Sequence, residues 1–179
     1  MSFIDQIDRS WTLFLDRDGV INKWLPGQYV QHWSMFQFED QALEALTILA
    51  NKFDRIIIIT NQQGIAKGIM SARDLDNLHD LMLNEIEVNE GRIDSIYYCP
   101  EFEGHPNRKP NPGMIEAAKQ AFPMIDLSKS IVVGDKQSDM QLARNVDANS
   151  VLVAEHEPNI KNSLVDAKFK NLFEFARSI

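Results

Sequence analysis

The 179-residue chain carries 18 basic and 26 acidic side chains, a net charge of −8, and 44% apolar residues, as expected of one globular domain with a sizeable core. No apolar run is long enough to cross a bilayer, and the acidic balance disfavours a nucleic-acid backbone as partner. Cys99 is the only cysteine, so neither an intrachain disulfide nor an all-cysteine metal site can form.

The first ten residues carry Asp5, Asp8 and Arg9 in place of an apolar leader, so a cytoplasmic location is expected. Trp11, Leu13, Phe14 and Leu15 form a run too short for a helix and read as a buried strand ended by an Asp-Gly turn signal. Asp16 and Asp18 follow it directly. Two acids held at the carboxyl end of a parallel strand repel each other unless a cation joins them. The competing reading is that they are turn acids, since Asp is common after strands. Lys23 to Phe38 is rich in aromatics around Pro26-Gly27 and reads as a loop or short hairpin over the acids, or as rings packed on the core.

Gln41 to Asn51 places Ala42, Leu43, Ala45, Leu46 and Leu49 on one helical stripe. Ile56 to Ile59 is a β-branched run, expected of a strand covered on both faces, and Thr60-Asn61 with Gly64 and Gly68 follows it. Ser71 and Asp74 resemble a capping box, opening a helix whose stripe is Leu75, Leu78, Met82 and Ile86. Ile93 to Tyr98 reads as the third strand. The proline-rich stretch Pro100 to Pro112 must be a loop, with Asn111 as cap and Pro112 in the first turn of a helix through Met114, Ile115, Ala118 and Phe122. Ser130 to Val133 predicts a fourth strand, followed at once by Gly134-Asp135-Lys136. Asp139 to Asn145 predicts a short helix, Val151 to Val153 a fifth strand, and Ile160 to Ser178 one or two closing helices.

Strands alternating with helices imply right-handed βαβ units. The expected fold is α/β, a Rossmann-like parallel sheet of order 3-2-1-4-5 with helices on both faces. One domain spans residues 1–179. In that order the chain reverses between strands 1 and 4, which brings Asp16, Asp18 and Asp135 to one crevice. Three carboxylates outnumber any nitrogen or sulfur donor there, so Mg²⁺ is the expected ion. Thr60, Asn61 and the glycine-bearing turn after them suit phosphoryl oxygens, and Lys109 adds a positive charge. A carboxylate beside a metal-bound phosphate can attack phosphorus, and a second can protonate the leaving oxygen and then activate water. Asp16 is the expected nucleophile. Asp18 is the expected acid and base, with its carboxyl protonated by burial and neighbouring charge.

Four stretches, Asp16-Arg-Asp-Gly-Val-Ile-Asn22, Thr60-Asn-Gln-Gln-Gly-Ile-Ala-Lys-Gly68, Arg108-Lys-Pro-Asn-Pro-Gly-Met114 and Val133-Gly-Asp-Lys-Gln-Ser-Asp-Met140, resemble the haloacid-dehalogenase (HAD) superfamily of phosphatases. More narrowly, they resemble its D-glycero-D-manno-heptose 1,7-bisphosphate 7-phosphatases and their histidinol-phosphatase relatives. The resemblance runs from Thr12 to Val153 and leaves no gap for a separate cap domain. It implies that Asp16 is the aspartyl-phosphate nucleophile and Asp18 the proton donor, with Mg²⁺ held by the Asp16 side chain, the Asp18 carbonyl and Asp135. Thr60 and Lys109 match phosphate stabilisers. Arg17, Trp24, Leu25, Pro26, Gly27, Asn61, Gln62, Gln63, Arg108 and Lys136 match substrate contacts, and Asp139 matches a residue that orients Lys136 or metal-bound water. The implied partner is a small phosphorylated sugar, most simply the 7-phosphate of a heptose bisphosphate, with histidinol phosphate as the alternative and a silent phospholigand-binding protein as the contrasting class. The chain departs from the family at the segment Cys99 to Arg108, where a zinc loop usually has three cysteines and a histidine; Cys99 and His105 alone remain. Structural zinc takes four ligands, so zinc is not expected. The protein is expected to be a monomer.

Overall fold

The computed structural model describes residues 2–154 and 159–179. Its centre is a parallel sheet built from β1 (Thr12–Leu15), β2 (Arg55–Asn61), β3 (Ser95–Cys99), β4 (Ser130–Gly134), β5 (Asn149–Val153) and β6 (Ala167–Phe169). The strand order is β3-β2-β1-β4-β5-β6. The expected order of the first five strands holds, and a sixth extends it. Leu15 pairs with Ile58 on one side and Val133 on the other. The residues just past these three therefore emerge side by side.

Side chains alternate across the strands, which divides the core in two. Leu13, Leu15, Ile56, Ile58, Ile131 and Val133 face α1 (Ala42–Ala50), α2 (Ala72–Val88) and α5 (Leu172–Arg177). Phe14, Ile57, Ile59 and Val132 face α3 (Gly113–Ala121) and α4 (Gln137–Asn145). Because both faces are covered, the central strands can be apolar throughout. Leu75, Leu78, Met82 and Ile86 are the buried stripe of α2, joined by His79, and Ser71 with Asp74 forms the expected capping box at its start.

Three expectations need correction. Residues 160–178 hold β6 as well as α5. Asp166 explains the extra strand: its carboxylate accepts from the Ser150 N–H at 2.8 Å, and its own N–H donates to Ser150 Oγ at 3.0 Å. Those side-chain bonds set the pairing of Val151 with Ala167. Asn111 does not cap α3, because Pro112 occupies that position and the Asn111 amide donates instead to the His105 carbonyl at 2.9 Å. The third strand starts at Ser95, since the N–H of Asp94 is already bonded to the Ile56 carbonyl at 2.8 Å and the Asp94 carboxylate turns back to the Ile56 N–H.

Lys23 to Phe38 forms a loop pinned at its base by bonds from Lys23 N to the Gln37 carbonyl at 2.8 Å and from Glu39 N to the Ile21 carbonyl at 2.9 Å. Both readings of its aromatics are realised. Phe36 is buried and stacks on Trp33 at 4.9 Å, while Trp24 and Tyr29 stand over the carboxyl end of the sheet.

Candidate active site

Asp16 sits one residue beyond β1, its N–H continuing the ladder to the Val133 carbonyl at 2.9 Å. Asp135 sits one residue beyond β4. The turn after Asp16 brings the two strand ends together at Gly19, where φ is +87° and a Cβ would lie 2.2 Å from Asp135 Oδ2. Both the backbone angle and the close approach require glycine. Asp139, in the first turn of α4, completes a group in which carboxylate oxygens of Asp16, Asp135 and Asp139 lie within 4.8 Å of one another.

Lys109 lies among these acids, fully buried. Its Nζ is 2.9 Å from Asp16 Oδ1, 2.7 Å from Asp139 Oδ1 and 2.9 Å from the Ile59 carbonyl, so all three ammonium protons have partners inside the protein. Burial would lower its pKa, but Asp139 and Asp16 together carry it above the ordinary lysine range. Asn61 fixes the loop that delivers it, accepting from Lys109 N at 3.0 Å and donating to the Lys109 carbonyl at 3.3 Å. Burial, reinforced by the Asp16 charge, pushes Asp135 up to about 7. Asp139 does not orient the Lys136 ammonium. One oxygen accepts the Lys136 backbone N–H at 3.1 Å, as a helix-start acid does, and the other faces Lys109.

Asp18 is turned away from this group. Arg17 Nη2 lies 2.8 and 2.9 Å from its two oxygens, Asn22 Nδ2 is 2.9 Å from Oδ1 and Gln62 Nε2 is 2.8 Å from Oδ2. Burial alone would raise its pKa, but Arg17 and these hydrogen bonds hold it below the usual carboxylate range. This corrects the expected protonated carboxyl: four donor contacts stabilise the anion. One expected substrate contact is corrected with it: the Arg17 side chain is wholly buried, and its other arm meets His79. Gln62 is largely buried but borders the cavity above the acids, its amide nitrogen bridging Asp18 and Thr60 Oγ1, the latter at 2.9 Å.

Above the acids opens a cavity of about 640 Å³ walled by Trp24, Leu25, Asn61, Gln63, Arg108 and Lys136 among the expected residues. Beneath it a recess of about 40 Å³ reaches Asp16, Asp18, Lys109 and Lys136. Pro26 and Gly27 form the exposed turn behind the wall, where Gln28 N bonds the Leu25 carbonyl at 3.1 Å. The sequence reading missed Gln28, Glu103 and Ser138, which line the cavity along with Tyr29 of the aromatic loop; no period or motif marks those three. Lys136 Nζ stands 3.4 Å from Asp135 Oδ1, 4.0 Å from Asp16 Oδ2 and 5.9 Å from the Trp24 ring centre. Arg108 is held to the Glu101 carbonyl at 3.2 Å. The mouth of an acidic protein is thus locally basic. Cys99 is buried at the end of β3, with Sγ 3.9 Å from His105 Nδ1.

The acidic group suits a hard divalent cation. All its donors are carboxylate oxygens, and Asp135 Oδ1 is buried without a hydrogen bond. The Asp18 carboxylate lies outside the group, leaving its backbone carbonyl as the only atom it could offer an ion there.

An open parallel sheet with acids after β1 and β4, a threonine at the end of β2 and a lysine before α3, all at the topological switch point, is the layout of a HAD-like hydrolase. The HAD-hydrolase-like family model matches residues 106–160. D-glycero-alpha-D-manno-heptose-1,7-bisphosphate 7-phosphatase of Mycobacterium bovis is 36% identical over 179 residues, covering 98% of this chain and 94% of the relative. The enzyme of that name from Campylobacter jejuni is 40% identical over 162 residues, covering 90% and 91%. By these matches the chain belongs to the heptose-1,7-bisphosphate 7-phosphatase family of HAD-like hydrolases, and it is a phosphatase. The crystal structure of D,D-heptose 1,7-bisphosphate phosphatase from B. bronchiseptica, complexed with magnesium and phosphate, superposes with a TM-score of 0.82 at 25% identity over 93% of this chain and 96% of that one.

Proposed function

We propose that this phosphatase removes the 7-phosphate of D-glycero-D-manno-heptose 1,7-bisphosphate through an aspartyl-phosphate on Asp16. The observation that carries the reading is the meeting of Asp16, Asp135 and Lys109 at the floor of a cavity whose upper wall bears two further cations, Arg108 and Lys136. One phosphate fits the floor and the second meets the wall.

Lys109 holds Asp16 with Oδ2 directed away from the ammonium and toward the recess. That oxygen attacks phosphorus, and the bond from phosphorus to the sugar oxygen breaks. Asp18, keeping one oxygen on Arg17 and protonated on the other, gives its proton to the sugar oxygen, so the sugar leaves as an alcohol. In the second half, the Asp18 carboxylate takes a proton from water as water attacks phosphorus and the bond to Asp16 breaks. The ionised form that the Arg17, Asn22 and Gln62 contacts favour is the form required for that half. Thr60 and the N–H groups after β2 would meet the non-bridging oxygens. A Mg²⁺ held by Asp16, Asp135 and the Asp18 carbonyl would supply positive charge to the phosphoryl group. A cytoplasmic location is in keeping with that substrate.

Steady-state assays with both anomers of heptose 1,7-bisphosphate, histidinol phosphate and simple monoesters test the reading. The heptose bisphosphate should show the highest kcat/KM. Turnover no faster than that of simple monoesters would remove the substrate assignment. Asp16→Asn should abolish turnover with the circular dichroism spectrum unchanged; full activity in that variant would end the covalent mechanism.

A further inference from the structure

His79 is the only polar side chain buried in α2, lying among Leu75, Leu78 and Met82 on the face toward the sheet. Its Nε2 is 3.1 Å from Arg17 Nη1. Arginine carries donors only, so Nε2 must present its lone pair and the ring proton sits on Nδ1. Burial, followed by the neighbouring Arg17 charge, lowers the His79 pKa to about 3 and keeps the ring neutral. The Tyr98 ring lies edge-on to it, 6.2 Å between centres. Arg17 is thereby caught between two partners on opposite arms of one plane: Nη1 on His79 and Nη2 on both oxygens of Asp18. Its Nε has no hydrogen-bond partner, so those two arms alone set its orientation.

We propose that His79 is a positioning residue for proton transfer: its lone pair fixes the plane of Arg17, which in turn places the Asp18 carboxyl for the leaving oxygen and for water. The inference rests on the reading of Asp18 as acid and base. Without His79, Nη1 is a buried charged donor with no partner, and the guanidinium turns to find one. Phosphate binding is untouched, because Lys136, Arg108 and the acidic floor make no contact with His79. In kcat/KM, which ends at departure of the leaving group, the effect is therefore confined to esters that need a proton to leave.

The full-length enzyme is assayed on heptose 1,7-bisphosphate, whose alkoxide needs that proton, and on p-nitrophenyl phosphate, whose phenolate does not. His79→Phe should lower kcat/KM on the sugar about tenfold, with KM unchanged, and on the aryl ester less than threefold. His79→Gln retains an acceptor and should recover most of the loss. Arg17→Lys keeps the charge but cannot bridge both partners; it should show the same selectivity, and it carries the test if His79→Phe does not fold. Asp18→Asn is the control and should lower kcat/KM on the sugar about a hundredfold or more while sparing kcat/KM on the aryl ester; loss of the base for the later water attack lowers kcat on both. If Asp18→Asn loses kcat/KM on both esters equally, the acid-base reading fails and the inference with it. If Asp18→Asn is selective while His79→Phe and Arg17→Lys lose both esters alike or neither, the inference alone is overturned.

Discussion

Lys109 and His79 show how far a residue's neighbourhood changes its role. A lysine in Arg-Lys-Pro reads from sequence as a cation offered to phosphate, yet its three protons are engaged by Asp16, Asp139 and the Ile59 carbonyl. It contributes charge and holds the nucleophile, which no spacing in the chain announces, because its partners come from three other segments. His79 was legible only as a gap in a pattern: it falls four residues after Leu75 on the stripe of α2, where an apolar side chain belongs. Its buried, neutral state makes stability depend on pH. Its folded pKa of about 3 lies below the ordinary 6.5, so between these values the unfolded chain binds a proton that the native one refuses. Stability from this group is complete above the ordinary histidine value and is lost as pH falls, by about 1.4 kcal/mol per unit at most. Urea unfolding of wild type and His79→Phe at pH 7 and pH 5 should give a shallower acid loss for the variant. Equal losses would show that His79 titrates normally.

Among the elements, those with a continuous apolar run or a clean stripe were readable: β2 from its four isoleucines, α1 and α2 from period and cap. The elements that escaped were those whose formation depends on a distant side chain. β6 has three residues, none fully buried, and is held by Asp166, whose second oxygen lies 2.6 Å from Arg144 Nη2 in α4. Asp166→Ala should cost about 1 to 3 kcal/mol, since the Ser150 N–H and the Arg144 guanidinium lose an acceptor. The strand lies at the far edge from β3, with β4 and β5 between it and the strand that Asp16 follows, so kcat should be nearly unchanged. Thermal unfolding and activity measured together check this; a large fall in kcat with unchanged melting temperature would contradict it.

For the whole molecule, alternation of strands and helices sufficed to place the switch point, because right-handed crossovers leave few orders open. The cavity wall was legible only in part, since Gln28, Tyr29 and Glu103 reach it from irregular loops. The molecule as a whole repels anions, with a net charge of −8, while its mouth presents Arg108 and Lys136. Association of a bisphosphate should therefore depend on salt at short range. Raising ionic strength from about 0.01 to 0.15 M shortens the screening length from about 30 to 8 Å, and KM for the bisphosphate should rise several-fold with kcat nearly constant. Arg108→Gln should remove most of that dependence, and a KM indifferent to salt would mean the mouth takes no part in capture.

The loop from Lys23 to Phe38 roofs the cavity, yet it joins the rest of the protein at a base stitched by the Lys23–Gln37 and Glu39–Ile21 bonds. Between those stitches Val30 and Phe36 anchor the loop in the core, while Trp24 and Gln28 are exposed beside the cavity and can change without altering the path of the chain through Asp16 or into α1. The residues that face the cavity from this loop can therefore vary apart from those that face the core, so a change of substrate needs few substitutions in the roof and none in the floor beneath it.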